Sequence, residues 1–471
     1  MRKILNKRDQ QILQLVELLE QNNTYTLLSL EEQLKINTRT LYNLIEEFNI
    51  KFSPMKIHKD ASGKIVIFKQ KNFSIKFIYQ KILANSIEFN ILEALFFENT
   101  LTINTLAEDM YLSTSTLRRI IKKMNPILST EGFHIRYSPL SIVGDEQKIC
   151  NFIIYYIIEK YNDETNFFKN RQINFAYQLL ETTIRLKNIE LTYSDKRKVV
   201  IWVLTVLNRS KINKTSGKEK NFPDEKNLFI YMKTFFKIDL KNNKYIRFLN
   251  TIFQKKLTLS YQSILKKSKN NSLSKSKLSA IEDLLSSTCE LFNIPLPHNS
   301  ESLIEKLYFI TEIQYGKPYI LFNEDYIFYE RISKYFSPKF TLLYQIIYDS
   351  YMKYGIYLQD YQILSYLYNL TINWENFFKH IIHSQKKISL ALYFPTDFEH
   401  AKLVKYYIDY KLPNMFDINI VSSLQHAEKL NLLTITNFTP TNENLDILCI
   451  LDFPTEKDLN WLLNFYIDSA Q

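Results

Sequence analysis

Glycine is scarce in this chain: 6 residues among 471, at positions 63, 132, 144, 217, 316 and 355. No G-x-G-x-x-G, G-x-x-x-x-G-K-[ST] or G-x-S-x-G pattern can be drawn from them. Nucleotide hydrolysis, dinucleotide redox chemistry and a serine-hydrolase elbow therefore lose their usual scaffolds. Cysteine is equally sparse. Cys150, Cys289 and Cys449 are far apart, with no C-x-x-C spacing, which argues against a disulfide framework or zinc finger and fits a reducing cytosol. Long apolar runs are missing too. Ile149 to Ile158 and Val199 to Leu207 fall far below the ~20 residues a membrane helix needs. Lys7, Arg8 and Asp9 interrupt any secretory segment at the start. These absences predict a cytoplasmic protein with no membrane contact.

What is present is apolar and aromatic: 46% hydrophobic residues with 14% Phe, Trp and Tyr are ample for buried cores. The length suggests several domains, at roughly 100–150 residues each.

The most informative stretch is Thr105 to Asn125, TLAEDMYLSTSTLRRIIKKMN. Ala107 sits in a first short helix, with Leu106 and Met110 facing inward. Tyr111-Leu112-Ser113 makes a corner that Leu112 plugs. Ser113 or Thr114 caps a second helix, on which Leu117, Ile120, Ile121 and Met124 recur at i, i+3, i+4, i+7. The opposite face carries Ser115, Thr116, Arg118, Arg119, Lys122 and Lys123. A small residue at the helix crossing and a basic outer face describe a helix-turn-helix, whose second helix enters a DNA major groove. The alternative is a plain antiparallel helix pair.

A second copy favours the first reading. Ser29 to Asn49, SLEEQLKINTRTLYNLIEEFN, repeats the pattern at an offset of 76 residues. Thr38, Arg39, Thr40 and Leu41 answer Thr114, Ser115, Thr116 and Leu117. Leu30, Leu34, Ile36 and Leu44 answer Leu106, Met110, Leu112 and Ile120. Tyr42 and Asn43 then stand where Arg118 and Arg119 stand. Glu31 replaces Ala107, so the helix crossing is expected to be looser, and Glu46-Glu47 replace Lys122-Lys123, so repulsion from phosphates is expected to make this unit the weaker DNA binder. The alternation after each unit predicts a two-stranded wing: Ile57 to Phe68 around Ser62-Gly63, and Phe133 to Val143 around Ser138-Pro139. His58 and Arg136 could meet DNA there, although solvated strand residues are the simpler reading.

From Asp145 to about Gln385 the pattern is almost wholly helical. Ile149, Phe152, Ile153, Tyr156 and Ile157 form one stripe. Val199, Val200, Trp202, Val203 and Leu207 form a broader one. The Lys-, Asn- and Ser-rich stretch Lys266 to Ser276 reads as a linker between two bundles. After Lys387, strands at 387–394, 416–421, 432–436 and 445–452 alternate with helices at 398–410 and 456–467, implying a small α/β layer domain. The predicted fold is thus multidomain and mainly α. It has winged helix-turn-helix units at 1–75 and 76–145, helical bundles at 146–270 and 271–385, and a C-terminal α/β domain at 386–471.

This order of parts, together with LAEDMYLSTSTLRRIIKKMN followed by IRYSPLSIVGDE, resembles the Mga/AtxA family of Gram-positive virulence and global transcription regulators. The resemblance implies Mga-type DNA binding in the second unit and bundles similar to PTS regulation domains (PRDs), in which a phosphotransferase relay modifies histidines. It also implies a dimerising C-terminal domain similar to EIIB sugar-transport subunits. Two departures stand out. No histidine lies between Glu146 and Leu265, so phosphohistidine control cannot act there. After the first strand of the last domain, where EIIB enzymes carry a nucleophilic cysteine, this chain has Phe394-Pro395-Thr396-Asp397, which favours an interaction module over an enzyme. Cys449, inside an apolar strand, is expected to be buried and inert.

Charge is concentrated away from the helix-turn-helix units. Arg209 to Lys277 holds 18 Lys and Arg against 4 Asp and Glu, an excess larger than the whole-chain balance of +11. This segment is either a solvated face or an auxiliary phosphate track. His380 and His383 lie at i, i+3, but no nearby carboxylate or cysteine completes a metal set. No metal or cofactor is therefore expected. By the resemblance, His380, His383 and His298 are the histidines open to regulatory phosphorylation by a phosphotransferase-system phosphocarrier. The sequence thus predicts a non-enzymatic, homodimeric regulator of double-stranded DNA. The rivals are a PRD-containing regulator of sugar-utilisation operons, an RNA-binding antiterminator, and a phosphotransferase-system enzyme or carrier.

Overall fold

A computed structural model describes residues 1–21, 25–71, 73–187, 193–212, 260–313, 316–336, 339–383, 387–395, 398–430, 432–438 and 446–469. The described residues are mainly helical, with three small sheets. They divide into two compact units, Met1–Leu259 with Glu312–Asn323, and Ser260–Thr311 with Glu324–Gln471.

The first unit opens with helices α1 (Lys7–Gln21), α2 (Leu27–Leu34) and α3 (Thr38–Lys51). A hairpin of β1 (Lys56–Lys59) and β2 (Ile65–Phe68) follows. The plan then recurs: α4 (Lys76–Asn85), α5 (Ile87–Leu95), α6 (Ile103–Asp109), α7 (Thr114–Thr130), and a hairpin of β3 (Phe133–Tyr137) and β4 (Leu140–Gly144). The 76-residue offset reaches beyond the apolar spacing into local chemistry. Thr26 and Ser29 form a capping box at the start of α2, and Thr102 and Thr105 form one at the start of α6. Lys35 and Tyr111 both take the left-handed conformation at the corner, at φ 53 and 54. Asn37 caps α3 and Ser113 caps α7.

One residue distinguishes the two corners. Ala107 is buried between the helices. Glu31, its counterpart, keeps Oε1 buried without a hydrogen-bond partner among the described residues, a costly arrangement. Gly144 closes the second hairpin, where a Cβ would lie 2.5 Å from the Gly132 carbonyl oxygen.

Helices α8 (Glu146–Lys160), α9 (Asn170–Lys187) and α10 (Tyr193–Ile212) follow. Both predicted stripes are buried, from Ile149 to Ile157 on α8 and from Val199 to Leu207 on α10. Helix α8 continues the core of the second winged unit. The Phe152 ring lies 5.9 Å from Phe96 and 5.3 Å from Phe133.

Arg209 departs from the sequence reading, which counted it in a solvated or phosphate-tracking run. It is 1% exposed and bonds both oxygens of Glu146, at 2.7 and 3.0 Å. It also donates to the carbonyls of Phe96 at 2.9 Å and Ile142 at 3.3 Å. Residues 316–323 pack on this unit as well. The N–H groups of Ile320, Leu321 and Phe322 all donate to the Glu159 carboxylate, at 2.7, 2.9 and 2.7 Å.

The second unit contains α11 (Tyr261–Asn270), α12 (Ser272–Phe292), most of α13 (Ser300–Ile313), α14 (Glu324–Phe336), α15 (Lys339–Met352), α16 (Asp360–Asn373) and α17 (Phe377–His383). The expected open linker at Lys266 to Ser276 is instead a helix–helix corner. Asn271 alone breaks the helices, and its side chain accepts the Ser274 N–H at 2.9 Å to start α12. Lysines and Leu273 among the serines, with Asn271 as a cap, let this polar stretch stay helical.

The α/β layer matches the sequence pattern closely. It runs β5 (Ile388–Tyr393), α18 (Phe398–Lys411), β6 (Phe416–Ile420), α19 (Leu424–Leu430), β7 (Leu433–Thr436), β8 (Ile447–Cys449) and α20 (Glu456–Ser469). All pairings are parallel, in the order β6-β5-β7-β8. Parallel neighbours require crossovers, which the helices supply. Cys449 contradicts its reading as a buried thiol. It is exposed on the edge strand and donates its S–H to the Phe438 carbonyl at 3.3 Å. Apolar flanks do not bury a residue when its strand has a neighbour on one side only.

Candidate nucleic-acid interface

Helix α7 is held by one face and free on the other. Leu117, Ile121, Met124 and Leu128 are buried, and Ile120 is half-buried. Thr114, Ser115, Arg118, Arg119, Lys122 and Lys123 are exposed, so four cations line the outer face without an intervening carboxylate. Met110 and Leu112, expected inward, are only half-buried at the corner.

The hydroxyls at the head of α7 are partly engaged with one another. Ser113 Oγ accepts the Thr116 N–H at 3.1 Å and donates to Thr116 Oγ1 at 2.8 Å. It also lies 2.9 Å from Ser115 Oγ. Of the two residues offered as the cap, Ser113 takes the role and Thr114 is left exposed. The wing approaches the same helix: the Tyr137 ring centroid is 5.9 Å from the Arg118 guanidinium carbon. Arg136 is tied to its own hairpin through Ser141 Oγ at 3.2 Å, whereas His58 and His134 are exposed.

In the first unit, Thr38, Arg39, Tyr42 and Asn43 are exposed on α3, and Thr40 is half-buried with its N–H on Asn37 Oδ1 at 2.8 Å. Glu47 is less repulsive than its sequence position suggests. Arg8 and Lys51 contact its carboxylate at 2.5 and 2.6 Å, while Glu46 stays exposed.

Sequence reasoning missed two features. Tyr111 at the corner is 96% exposed. Asn49 and Asn125 each bond a strand of their wing. The shared offset of the two asparagines was the available signal for the second.

The remaining candidate residues lie elsewhere. His298 is exposed in the turn before α13, and His380 is half-buried on α17. The His383 side chain and most of the basic segment, residues 213–259, lie outside the described residues. Lys277 does not face solvent: it is buried with its Nζ 4.1 Å from the Tyr308 ring centroid. Among the described residues no group of His, Cys, Asp or Glu could hold a metal ion, and no helix is long and apolar enough to cross a membrane.

Residues 71–157 match the Mga helix-turn-helix domain. That span contains α7 and its wing and ends within α8, the helix that completes their core. Across 91% of this chain, and 90% of the relative, a candidate trans-acting regulator of Streptococcus pneumoniae is 22% identical. The chain is thus similar to the Mga/AtxA family of regulators. Within it, the capsule synthesis positive regulator AcpB of Bacillus anthracis is 26% identical over 43% of this chain and 42% of the relative. The anthrax toxin expression trans-acting positive regulator of the same organism is 27% identical over 42% of each chain. These two alignments span less than half the length of either relative.

Proposed function

We propose that this chain is a cytoplasmic, non-enzymatic transcription activator of the Mga/AtxA family that binds promoter DNA through its two winged helix-turn-helix units. The observation that carries this reading is the outer face of α7. Arg118, Arg119, Lys122 and Lys123 are exposed on a helix whose opposite face is buried, inside the segment that matches the Mga domain. Cations on such a helix supply phosphate attraction and, from Arg, bidentate base contacts in the major groove. The first unit is the secondary contact, through Thr38, Arg39, Thr40, Tyr42 and Asn43.

The helical bundles are read as PRD-like control domains, with His298, His380 and His383 as the phosphorylatable sites. The C-terminal layer is read as an EIIB-like module through which two copies pair. Its parallel order supports an α/β module of that kind, and the lack of a cysteine after β5 supports interaction over phosphoryl transfer. The test is a genome-wide map of DNA bound by the wild-type chain and by the Arg118→Ala/Arg119→Ala variant. Sharp promoter peaks that vanish in the variant are expected. Absence of peaks, with an RNA hairpin outcompeting duplex in vitro, would replace this reading with antitermination.

A further inference from the structure

The wing meets α7 at Arg118, through the Tyr137 ring at the side chain and the hydroxyl at the backbone. Besides the guanidinium carbon lying 5.9 Å from the ring centroid, the Tyr137 hydroxyl donates to the Arg118 backbone carbonyl at 3.4 Å. Tyr137 ends the row Phe133, Ile135, Tyr137 on one face of β3. The first two are buried, and the third emerges 39% exposed beside α7. The strand is itself fixed to α7 two residues earlier, where Asn125 bonds the Ile135 backbone. The ring therefore sits on a part of the hairpin that is tied to the helix it serves.

We infer that Tyr137 is a positioning residue for Arg118, presetting its guanidinium to read a base edge. This rests on the DNA-binding reading above. A free arginine loses rotamer freedom when it docks. Attraction to an aromatic face narrows the positions the guanidinium samples while consuming none of its N–H donors, which stay open for a bidentate acceptor pair such as guanine O6 and N7. Phosphate contact gains less, because many rotamers reach a phosphate. The effect should therefore appear in discrimination between sequences more than in overall affinity.

The first unit offers a contrast. Aligning Asn49–Ile57 with Asn125–Ile135 places Tyr42 at the position of Arg118 and Lys59 at that of Tyr137. The aromatic and the cation exchange places, so no base-reading guanidinium is restrained there.

The test uses the full chain and a duplex that the wild-type protein selects from a random pool. Affinities are measured for wild type, Tyr137→Phe, Tyr137→Ala, Arg118→Ala and Arg118→Ala/Tyr137→Ala. Each is titrated with the selected duplex and with an unselected duplex of equal length, at several salt concentrations. Tyr137→Ala should lose about 2–5-fold on the selected duplex, the scale of an exposed cation–π contact. It should lose little on the unselected one and keep the same salt slope. Tyr137→Phe should stay near wild type, and Tyr137→Ala should add nothing once Arg118 is Ala. Equal loss on both duplexes with a shallower slope would make Tyr137 a phosphate contact and overturn the inference. Additive losses, a Phe variant as weak as Ala, or an Ala variant as strong as wild type would overturn it too. If the wild-type chain enriches no duplex, the DNA-binding reading falls, and this inference with it.

Discussion

The Asn125 side chain closes a two-bond ring with the backbone of Ile135. Its Nδ2 donates to the Ile135 carbonyl at 2.9 Å, and the Ile135 N–H donates to Oδ1 at 2.8 Å. Asn49 makes the same ring with Ile57, at 3.0 and 2.6 Å. A carboxamide offers one donor and one acceptor side by side, as a neighbouring strand would, so each helix carries its wing as one body. Asn125→Ala would strand two polar groups, and Asn125→Asp would lose the donor. Each should cost about 1–3 kcal/mol, read as a lower urea midpoint. An unchanged midpoint in both would mean that Phe133 and Ile135 alone hold the wing.

On DNA, Arg118→Ala with Arg119→Ala should remove specific binding, each bidentate base contact being worth roughly 1–3 kcal/mol. The counterpart Tyr42→Ala with Asn43→Ala should weaken it less, since those side chains bring no cation to the groove. Gel shifts showing the reverse order would make the first unit primary.

The sequence carried these helices because their apolar spacing is dictated by local geometry. Leu117, Ile121 and Met124 are buried where a 3.6-residue period puts them. The α/β layer was legible for a related reason: short apolar strands between helices admit few arrangements. Long-range pairing was not legible. Nothing near Arg209 in the sequence announces Glu146, 63 residues away. Charge counting therefore placed a buried ion pair on the surface. Cys449 failed likewise, because edge position depends on which strands pair. At the corner between α11 and α12, composition suggested a loop, whereas one capping asparagine was enough for two helices.

Arg209 links α10 to the core of the second winged unit. Replacing it with Met should leave Glu146 facing a half-buried site without its cation, along with the carbonyls of Phe96 and Ile142. Breaking a buried pair from one side typically costs about 3–5 kcal/mol. The expected result is a marked drop in melting temperature, with weaker DNA binding at 37 °C recovering on cooling. Full stability in Arg209→Met would show that the apolar contacts of Phe96, Phe152 and Tyr156 suffice.

The described basic residues separate into two kinds. Lys266 is exposed on α11, whereas Lys277 is buried against Tyr308. If α11 follows phosphates, Lys266→Glu should weaken binding to all sequences alike. It should also reduce the salt slope by about 0.9 for the lost contact. Lys277→Met should leave that slope alone and act on thermal stability. A slope unchanged by Lys266→Glu would return α11 to ordinary surface.

Regulation by phosphohistidine, if it operates, must use residues outside 146–265, where the sequence has no histidine. His298 is exposed but sits in a turn, after Ile294-Pro295-Leu296-Pro297. A charge added there can be solvated without disturbing a packed helix. His380 is half-buried on α17, with Trp374 and Phe377 buried just before it. A phosphoryl group brings negative charge and acceptor oxygens, so at His380 it must either find donors or push the helix end away. His383 ends the same helix, shortly before β5 of the proposed pairing domain. His380→Asp or His383→Asp should therefore shift the monomer–dimer equilibrium in sedimentation, and His298→Asp should do little. Incubation with the phosphorylated phosphocarrier, followed by mass spectrometry under conditions that preserve acid-labile phosphate, should locate the group on His380 or His383. Phosphate on none of the three would mean that a ligand or partner sets the activity, and an unmoved dimer in both Asp variants would separate phosphorylation from assembly.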